Sequence, residues 1–258
     1  MGIKRYYHKL AGLLGLSFSL AVAEFKLRNE GSYLGIFWYL LNPVLMFFLI
    51  FLVFAGRLGN DIPQYSLYLL LGLIMLNFFQ NSTTQAIKAI TENRAMIKSI
   101  SFPREALVLG TIICSIFSHL FEVALFFIVG LLLGVSLLGI FWYFLVFVFF
   151  VFFILGLSFI LSSLQVYFVD LENIWIFVSR LIMFGTPIFY SIGGQTRLLY
   201  VNLFNPLYFF ITLSRDLIIY RVFPQGWLVL GVAGYSLLFL VIGLWIFNRL
   251  KVKFDEMM

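Results

Sequence analysis

The chain has 258 residues, of which 63% are hydrophobic and only 11% are charged. Soluble domains carry roughly 25% charged residues, so a water-soluble fold is excluded and an all-α polytopic membrane protein is predicted. The net charge of +6 does not indicate nucleic-acid binding, because the basic residues lie beside apolar runs, where they orient a protein in the membrane.

The first predicted element is a helix within residues 1–33. Its basic residues Lys4, Arg5 and Lys9 precede the apolar run 10–23, which ends in Ala-Val-Ala and is typical of a cleavable signal peptide. The alternative is an uncleaved amphipathic helix in the cytoplasmic membrane interface. The run is shorter than the about 20 apolar residues that a span needs, so the uncleaved helix is predicted to lie in the interface rather than to cross the membrane. The distribution of basic residues decides between this helix and cleavage.

Six later runs are long and apolar enough to cross a membrane, and residues 1–258 are predicted to form a single transmembrane domain. Spans one to five lie within 35–192, and the sixth opens the segment 228–258, which ends in a basic tail. The predicted spans are 35–55, 65–86, 106–134, 138–164, 174–192 and 228–247. Gly31, Ser32 and Gly35 join the charged helix to the first span, and a bend is expected there.

The basic residues also predict the orientation of the spans. If the N-terminus is inside, 13 Lys and Arg residues lie on the cytoplasmic side and 4 on the outer side. Cleavage after Ala23, with the new N-terminus outside, would reverse that bias. The N-terminal helix is therefore predicted to stay, and both termini are predicted to be cytoplasmic.

The segment 193–227 is long for a loop, yet largely apolar from Leu198 to Tyr220. A seventh span there would place the basic tail outside. Asn205 and Pro206 interrupt the apolar run in its middle, where proline removes a backbone donor. The sequence thus predicts a re-entrant pair of short helices in the outer leaflet, whose freed backbone groups must be covered by protein or water.

Four sequence pieces, in this order along the chain, resemble the membrane subunits of type-2 ABC transporters. They are Arg-x-x-Gly-Ser-Tyr-Leu-Gly-Ile-Phe-Trp-x-Leu-Leu-x-Pro at 28–43, Ile-Ser-Phe-Pro-Arg-Glu at 100–105, Thr-Pro-Ile-Phe-Tyr-Ser at 186–191, and Asn-Pro-Leu-Tyr-Phe-Phe at 205–210 with Arg215 and Asp216. Within that family they look most like the permeases that export bacterial O-antigen, capsule or teichoic-acid polymers.

The resemblance implies a homodimer with its channel between the subunits, joined by two ATP-binding-cassette subunits that bind ATP and Mg²⁺. Such an assembly exports a lipid-linked polysaccharide across the bacterial cytoplasmic (inner) membrane. Two alternatives stay open. One is a drug, antibiotic or lipid exporter permease of the same superfamily, and the other is a membrane-embedded glycosyl- or acyltransferase.

The chain shows no motif of its own for using ATP. No glycine is followed by lysine, so the Gly-x-x-x-x-Gly-Lys-Ser/Thr loop that cradles nucleotide phosphates is missing. The chain is therefore predicted to be a transport subunit rather than an enzyme, to carry no cofactor, and to depend on a separate ATPase. The single cysteine, Cys114, has no partner for a disulfide or a cysteine metal site, and no metal is predicted.

The connector 88–104 is the predicted contact surface for that ATPase. Its apolar and charged residues alternate at helical spacing, so that Ile90, Met96, Ile97 and Ile100 can share one side. A solvated helix that only serves topology is the alternative interpretation. The resemblance implies instead a coupling helix seated on the nucleotide-binding subunit.

The surface helix up to Arg28 and the acidic connector before the fifth span are further predicted contacts. In that connector Asp170 can simply cap the following helix, and Glu172 can favour its first turn, which is the simpler interpretation. The residues assigned to the ATPase contact are Glu24, Arg28, Glu92, Asn93, Arg94, Lys98, Asp170 and Glu172.

Ionisable residues are rare within the predicted spans. His119 and Glu122 lie three residues apart and so share one face of the third span, and Arg180 lies in the fifth span. A buried charge is costly in a membrane, so one hypothesis pairs Glu122 with Arg180 across two helices. The alternative is that Arg180 extends to the cytoplasmic interface and that His119 is a hydrogen-bonded interior residue.

Aromatic residues make up 20% of the chain and suit a path for sugar, because the C–H face of a sugar ring packs on an aromatic ring. The run 141–153 covers every side of its helix, which fits lipid contact or packing instead. Interfacial belts account for further Trp and Tyr residues. The residues assigned to the substrate path are Trp38, Tyr39, Phe189, Tyr190 and Tyr208.

Overall fold

The computed structural model describes residues 2–30, 33–59, 61–193 and 195–254, with side chains from residue 10 onwards. Helices form all the regular secondary structure in those ranges, and no strand occurs in them. The predicted all-α class is confirmed. The bend predicted at Gly31 and Ser32 lies outside the described residues, whereas Gly35 has a left-handed φ of +45°, which glycine adopts without strain.

Ten α-helices follow one another in the described ranges. They are α1 (Gly2–Asn29), α2 (Trp38–Leu58), α3 (Tyr65–Lys88), α4 (Arg94–Ser99), α5 (Glu105–Leu132), α6 (Leu138–Gln165), α7 (Leu171–Gly185), α8 (Thr196–Leu203), α9 (Pro206–Arg215) and α10 (Gly226–Leu250). A π-helical turn, Asp216–Tyr220, extends α9.

Five segments of the described chain are long and apolar enough to cross a membrane: Leu10–Asn29, Gly35–Leu58, Glu105–Leu132, Leu138–Gln165 and Gly226–Lys253. Four of them coincide with the first, third, fourth and sixth predicted spans. The other is Leu10–Asn29 of α1, which is longer than the apolar run 10–23 that the sequence predicts to be too short to cross. The helix continues to Asn29, and the i,i+4 ion pair of Glu24 with Arg28 offsets two of its charges. Its 28 residues give α1 a length of about 42 Å.

α3 lies at the centre of the bundle. It packs against α2, α5, α6, α7 and α9, and most of its side chains are buried. It occupies the position of the predicted span 65–86, yet its second half carries Asn77 and Asn81, and it is not among the five apolar segments. A helix that neighbouring helices cover can hold polar groups that lipid would not tolerate.

The predicted continuous span 174–192 is wrong. α7 has 15 residues, about 22 Å, and ends at Gly185. Thr186 has an extended backbone with φ −86° and ψ 136°, because the ring of Pro187 disfavours helical angles in the residue before it. The chain then continues without helical structure to α8.

The predicted pair of short helices is present as α8 and α9. The first helix ends at Leu203, and Asn205 caps the second by accepting a hydrogen bond from the Leu207 amide at 3.1 Å, with Pro206 in the first helical turn. α9 is largely buried against α3, α6 and α10. The break at Asn205 and Pro206 is therefore confirmed, and protein covers most of the second helix.

Small residues let two pairs of long helices approach closely. α1 runs along α5, where the fully buried Ser17 and Ala21 face Gly110. α6 and α10 meet at Gly156 and Gly243. A Cβ added at Gly156 would lie 2.3 Å from the α10 backbone, and one added at Gly243 would lie 2.1 Å from the α6 backbone. Such contacts are typical of helix packing in membranes.

Candidate functional site

A polar strip runs along one side of the second half of α3. It consists of Asn77, Asn81 and Gln85, which recur every four residues and therefore lie above one another on the helix. Asn81 and Gln85 are exposed in the single chain. Amide side chains at membrane depth face protein or water rather than lipid. None of the three was assigned a role from the sequence, although their four-residue spacing was a visible signal.

The polar strip borders a cavity of about 180 Å³ that is lined from α1, α2, α3 and α5. This polar cavity brings together residues from three predicted groups. Arg28 was assigned from the sequence to the ATPase contact and Tyr39 to the substrate path. His119 and Glu122 were assigned to the intramembrane polar residues. Two serines of α5 add hydroxyl groups to the same lining.

A chain of hydrogen bonds leads from the polar strip into the protein interior. Asn77 donates to one carboxylate oxygen of Glu122, and the other oxygen lies 2.8 Å from Nδ1 of His119. Nε2 of His119 lies 2.6 Å from the hydroxyl of Tyr143, which is buried on α6. His119 is thus a hydrogen-bonded interior residue. The hypothesis that Glu122 pairs with Arg180 is wrong, because His119 and Asn77 occupy its carboxylate and Arg180 is exposed on α7.

The aromatic residues predicted at the start of the first span differ in their surroundings. The ring of Tyr39 stacks on Phe25 of α1 at 5.8 Å between centroids and on Phe121 of α5 at 6.4 Å. Trp38 is 49% exposed. Tyr39 therefore joins α1, α2 and α5 beside the polar cavity, whereas Trp38 faces outward from the chain.

Side chains from distant elements form hydrogen bonds with the backbone carbonyls of the non-helical segment that follows α7. The Tyr68 hydroxyl lies 3.0 and 2.7 Å from the carbonyl oxygens of Pro187 and Tyr190 and shares its single proton between them. The buried Arg215 donates to the carbonyls of Pro187 and Ile188 at 2.6 and 3.0 Å, and its guanidinium lies 3.3 Å from the centroid of the Tyr68 ring.

The next carbonyl in this segment is also bonded, since Tyr65 donates to Phe189 at 3.0 Å. Four consecutive carbonyls, those of residues 187–190, thus accept hydrogen bonds from side chains of α3 and α9. Asn205 further donates to the Thr186 hydroxyl at 2.7 Å. Irregular backbone can persist at membrane depth only when its polar groups are satisfied in this way.

The remaining predicted path residues lie at this end of α3. Phe189 stacks on Phe54 of α2 at 5.2 Å, and the Tyr190 hydroxyl donates to the Phe184 carbonyl at 3.1 Å in the last turn of α7. Tyr208 is buried and lines a cavity of about 200 Å³ with the carboxylates of Asp61 and Asp216. The structure therefore separates Phe189, Tyr190 and Tyr208 from Tyr39 by most of the length of α3.

The connector between α3 and α5 presents charge outward on an apolar base. Ile90 is fully buried and Ile97 nearly so, in a cluster with residues of α5, α6 and α10. Glu92, Arg94 and Lys98 are exposed as predicted, and Asn93 donates to the carbonyl of Ala89 at 2.9 Å. Ile100 does not join the apolar side that it was predicted to share with Ile97, because it follows the end of the six-residue α4 and its side chain is 57% exposed.

An ion pair joins this connector to the acidic one. Nζ of Lys88, at the end of α3, lies 2.7 Å from the carboxylate of Glu172 at the start of α7. Asp170 occupies the N-cap position of α7, but its side chain makes no capping hydrogen bond. The capping function suggested for Asp170 is therefore wrong, and Glu172 holds two connectors together at one end of the bundle.

Glu24 and Arg28 of α1 pair with each other, and Arg28 lines the polar cavity. The eight residues assigned to the ATPase contact thus divide into two groups. The α4 connector and the acidic connector are joined by the Lys88–Glu172 ion pair, and the end of α1 lies near the middle of α5.

Comparison with known proteins places these features in a family. Residues 16–219 match the ABC-2 type transporter family. The chain is 28% identical over its full length to the full length of the O-antigen export system permease protein RfbA of Klebsiella pneumoniae. It is 25% identical to the protein of the same name from Myxococcus xanthus, with 98% of each chain covered.

Membrane permeases of this family lack a nucleotide-binding domain, and ATP hydrolysis lies on a partner subunit. This agrees with the missing phosphate-binding loop in the sequence. The matched residues include the polar strip, the polar cavity and the non-helical segment after α7. The chain belongs to the ABC-2 type transporter family and is the permease of an ABC-2 exporter, homologous over its whole length to O-antigen export permeases.

Proposed function

We propose that this chain forms a homodimer that, with two ATP-binding-cassette subunits, exports a lipid-linked polysaccharide across the bacterial cytoplasmic membrane. The observation that carries the proposal is the similarity over the whole chain to permeases of O-antigen export systems. The polymer passes between the two permease subunits. ATP and Mg²⁺ bind to the partner subunits.

The polar strip supports a path for a hydroxyl-rich polymer. Asn81 and Gln85 offer amide donors and acceptors on an exposed side of a helix that is otherwise mostly buried. Tyr39 lies beside them, and Phe189, Tyr190 and Tyr208 lie near the other end of α3. Rings and amides spaced along about 25 Å of helix would hold a sugar chain through many weak contacts and release it as it moves.

The proposed topology has six crossings with both termini in the cytoplasm. α2, α3, α5, α6 and α10 each cross once. The fifth crossing combines α7 with the non-helical segment 186–192, whose carbonyls bond to side chains. The ion pair of Lys88 with Glu172 supports this arrangement, because it places the end of α3 and the start of α7 on the same side. The N-terminal helix α1 lies at the cytoplasmic interface in this scheme.

The surface around α4 is the proposed seat of the ATPase. Exposed charges on Glu92, Arg94 and Lys98 stand on an apolar base that is anchored in the bundle through Ile90 and Ile97. A helix held in this way can transmit movement of a bound subunit to α3 and α5, which it joins. Glu172 and Asp170 lie at the same end and extend the surface.

Transport in vesicles tests the proposed function. The permease, its partner ATPase and candidate lipid-linked glycans are reconstituted together, and glycan translocation and ATP hydrolysis are measured in parallel. We expect ATP-dependent translocation of a lipid-linked glycan. Replacing Asn81 and Gln85 together by Leu should reduce translocation at least tenfold with normal protein amounts.

A matched control replaces Asn248, an exposed amide on α10 away from the polar strip, by Leu and should transport normally. Translocation of drugs or unglycosylated lipids, with no glycan accepted, would contradict the proposed substrate. Glycosyl or acyl transfer by the isolated chain would contradict the assignment as a transport subunit.

Thiol labelling tests the proposed orientation. Single cysteines replace Lys98, Gln195 or Lys253 in a Cys114→Ser background, and intact cells receive a membrane-impermeant reagent. We expect labelling at Gln195 only, because the basic residues place the other two positions inside. Labelling at Lys98 without labelling at Gln195 would reverse the topology.

A further inference from the structure

An apolar trough lies between α6, α10 and the end of α9, on the other side of α6 and α9 from the polar strip. Its volume is about 540 Å³, which is within the range of ligand-binding pockets. The lining comes from Trp142, Val146 and Phe149 of α6, from Leu217 after α9, and from Val229, Val232 and Ala233 of α10, among other apolar residues. None of the features assigned to transport uses this trough.

The length of the trough corresponds to one leaflet of a bilayer. Its lining on α6 extends from Leu138 to Phe149, which is about 16 Å of helix rise. The hydrocarbon core of a membrane is about 30 Å thick, so one leaflet contributes about 15 Å. An extended hydrocarbon chain that enters at the start of α6 would therefore end near the middle of the membrane.

One cation marks the interfacial end of the trough. Arg221 is the only charged residue among the described lining residues, and no carboxylate accompanies it there. It has left-handed backbone angles, φ 54° and ψ 37°, which are rare for a residue with a side chain. Its Nη2 donates to the carbonyl of Gly134 in the turn between α5 and α6.

That hydrogen bond holds the guanidinium at the level where α5 ends and α6 begins. A guanidinium has five N–H donors, so donors are left for an oxyanion. Ser136 adds a hydroxyl at the same rim. An arginine of this kind suits a phosphate group, which it can bind through two parallel hydrogen bonds.

We propose that the trough binds one acyl chain of a phospholipid whose headgroup carries a net negative charge, with Arg221 contacting the phosphate. The charge at one end and an apolar lining of single-leaflet depth match the two parts of that amphiphile. A headgroup without a compensating amine is preferred, because the rim offers a cation and no acid. The bound lipid would fill the space between α6, α9 and α10 and support their packing.

Fluorescence quenching by brominated lipids tests the site. The full-length protein is reconstituted in vesicles that contain either phosphatidylglycerol or phosphatidylcholine with brominated acyl chains, at equal mole fractions. The difference between wild type and Trp142→Phe isolates the emission of Trp142, which lines the trough. We expect brominated phosphatidylglycerol to quench Trp142 about threefold more effectively than brominated phosphatidylcholine.

Three variants separate the headgroup from the chain. Arg221→Ala should make the two lipids equivalent, and Arg221→Lys should keep part of the preference. Ala233→Leu fills the trough and should reduce quenching by both lipids. Arg57→Ala, which removes an exposed arginine at the end of α2, is the matched control and should behave like wild type.

Two outcomes would overturn the proposal. Equal quenching by both lipids in the wild type would show that a lipid enters the trough without recognition of its headgroup. Absence of quenching specific to Trp142 would show that another part of the assembly, such as a second copy of the chain, covers the trough. Either result leaves the proposed export function unaffected, because translocation is measured separately.

Discussion

Removing the hydroxyl of Tyr68 should loosen the non-helical segment between α7 and α8. The change Tyr68→Phe keeps the ring that the Arg215 guanidinium covers at 3.3 Å. It removes the donor that serves the carbonyls of Pro187 and Tyr190. The Pro187 carbonyl keeps its bond from Arg215, whereas no other described side chain donates to the Tyr190 carbonyl.

The expected loss of stability of the closed segment follows from this count of hydrogen bonds. The Tyr190 carbonyl is only partly buried, so the loss of its partner costs about 1 kcal/mol, the lower end of the range for buried groups. A change of one or two kcal/mol shifts a local equilibrium about 5–30-fold. Tyr68→Phe should therefore raise the open population of the segment about fivefold, while the helices keep their packing.

Cysteine accessibility measures this population directly. A cysteine at Ile188, which is fully buried in the segment, reports opening through its labelling rate in a Cys114→Ser background. Tyr200→Phe is the matched control, because Tyr200 is 66% exposed on α8 and its hydroxyl supports no carbonyl of the segment. Equal labelling rates in the two variants would refute the reasoning that the Tyr68 hydroxyl holds the segment closed.

Three further predictions concern packing, coupling and the path. Gly243→Leu should disrupt the contact of α10 with α6 and lower the amount of folded protein. Gly234→Leu is the control and should leave the amount unchanged, because the space around its Cβ position is open. Equal yields of the two variants would contradict the close approach of the helices. Reversing the charges of Glu92 and Arg94 together should weaken pull-down of the partner ATPase without affecting membrane insertion, and unchanged binding would remove α4 from the interface. Tyr39→Ala should reduce glycan export at normal protein levels, and a fall in protein amount instead would assign Tyr39 to packing.

Composition and local patterns were sufficient for the class of the protein and for most helix positions. A chain with 63% hydrophobic residues has no stable arrangement in water, and long apolar runs have few alternatives to helices in a membrane. The break at Asn205 and Pro206 was also predictable from the sequence, because proline lacks a backbone N–H donor wherever it occurs. The absence of a phosphate-binding loop likewise follows from the residues alone.

Predictions that needed neighbouring helices were less successful. The polar second half of α3 is tolerated because other helices cover most of it, and amide spacing by itself does not reveal that cover. The pairing of Glu122 with Arg180 failed because Asn77 on α3 and His119 on α5 are closer to the carboxylate. The span 174–192 failed because apolar composition does not show that backbone carbonyls after Gly185 can bond to side chains.

The residues alone thus specify a helical membrane protein whose sequence lacks a phosphate-binding loop, because apolarity, proline and a missing motif act locally. The tertiary fold is needed to see that Arg215 bonds the segment after α7 and also the Tyr68 carbonyl, 147 residues away. It is also needed to place the Tyr68 hydroxyl against the carbonyl of Tyr190, 122 residues further along the chain. In a membrane, a polar group bonds to whichever other polar groups the packing of helices brings close to it. The spacing of residues along the chain does not encode that proximity.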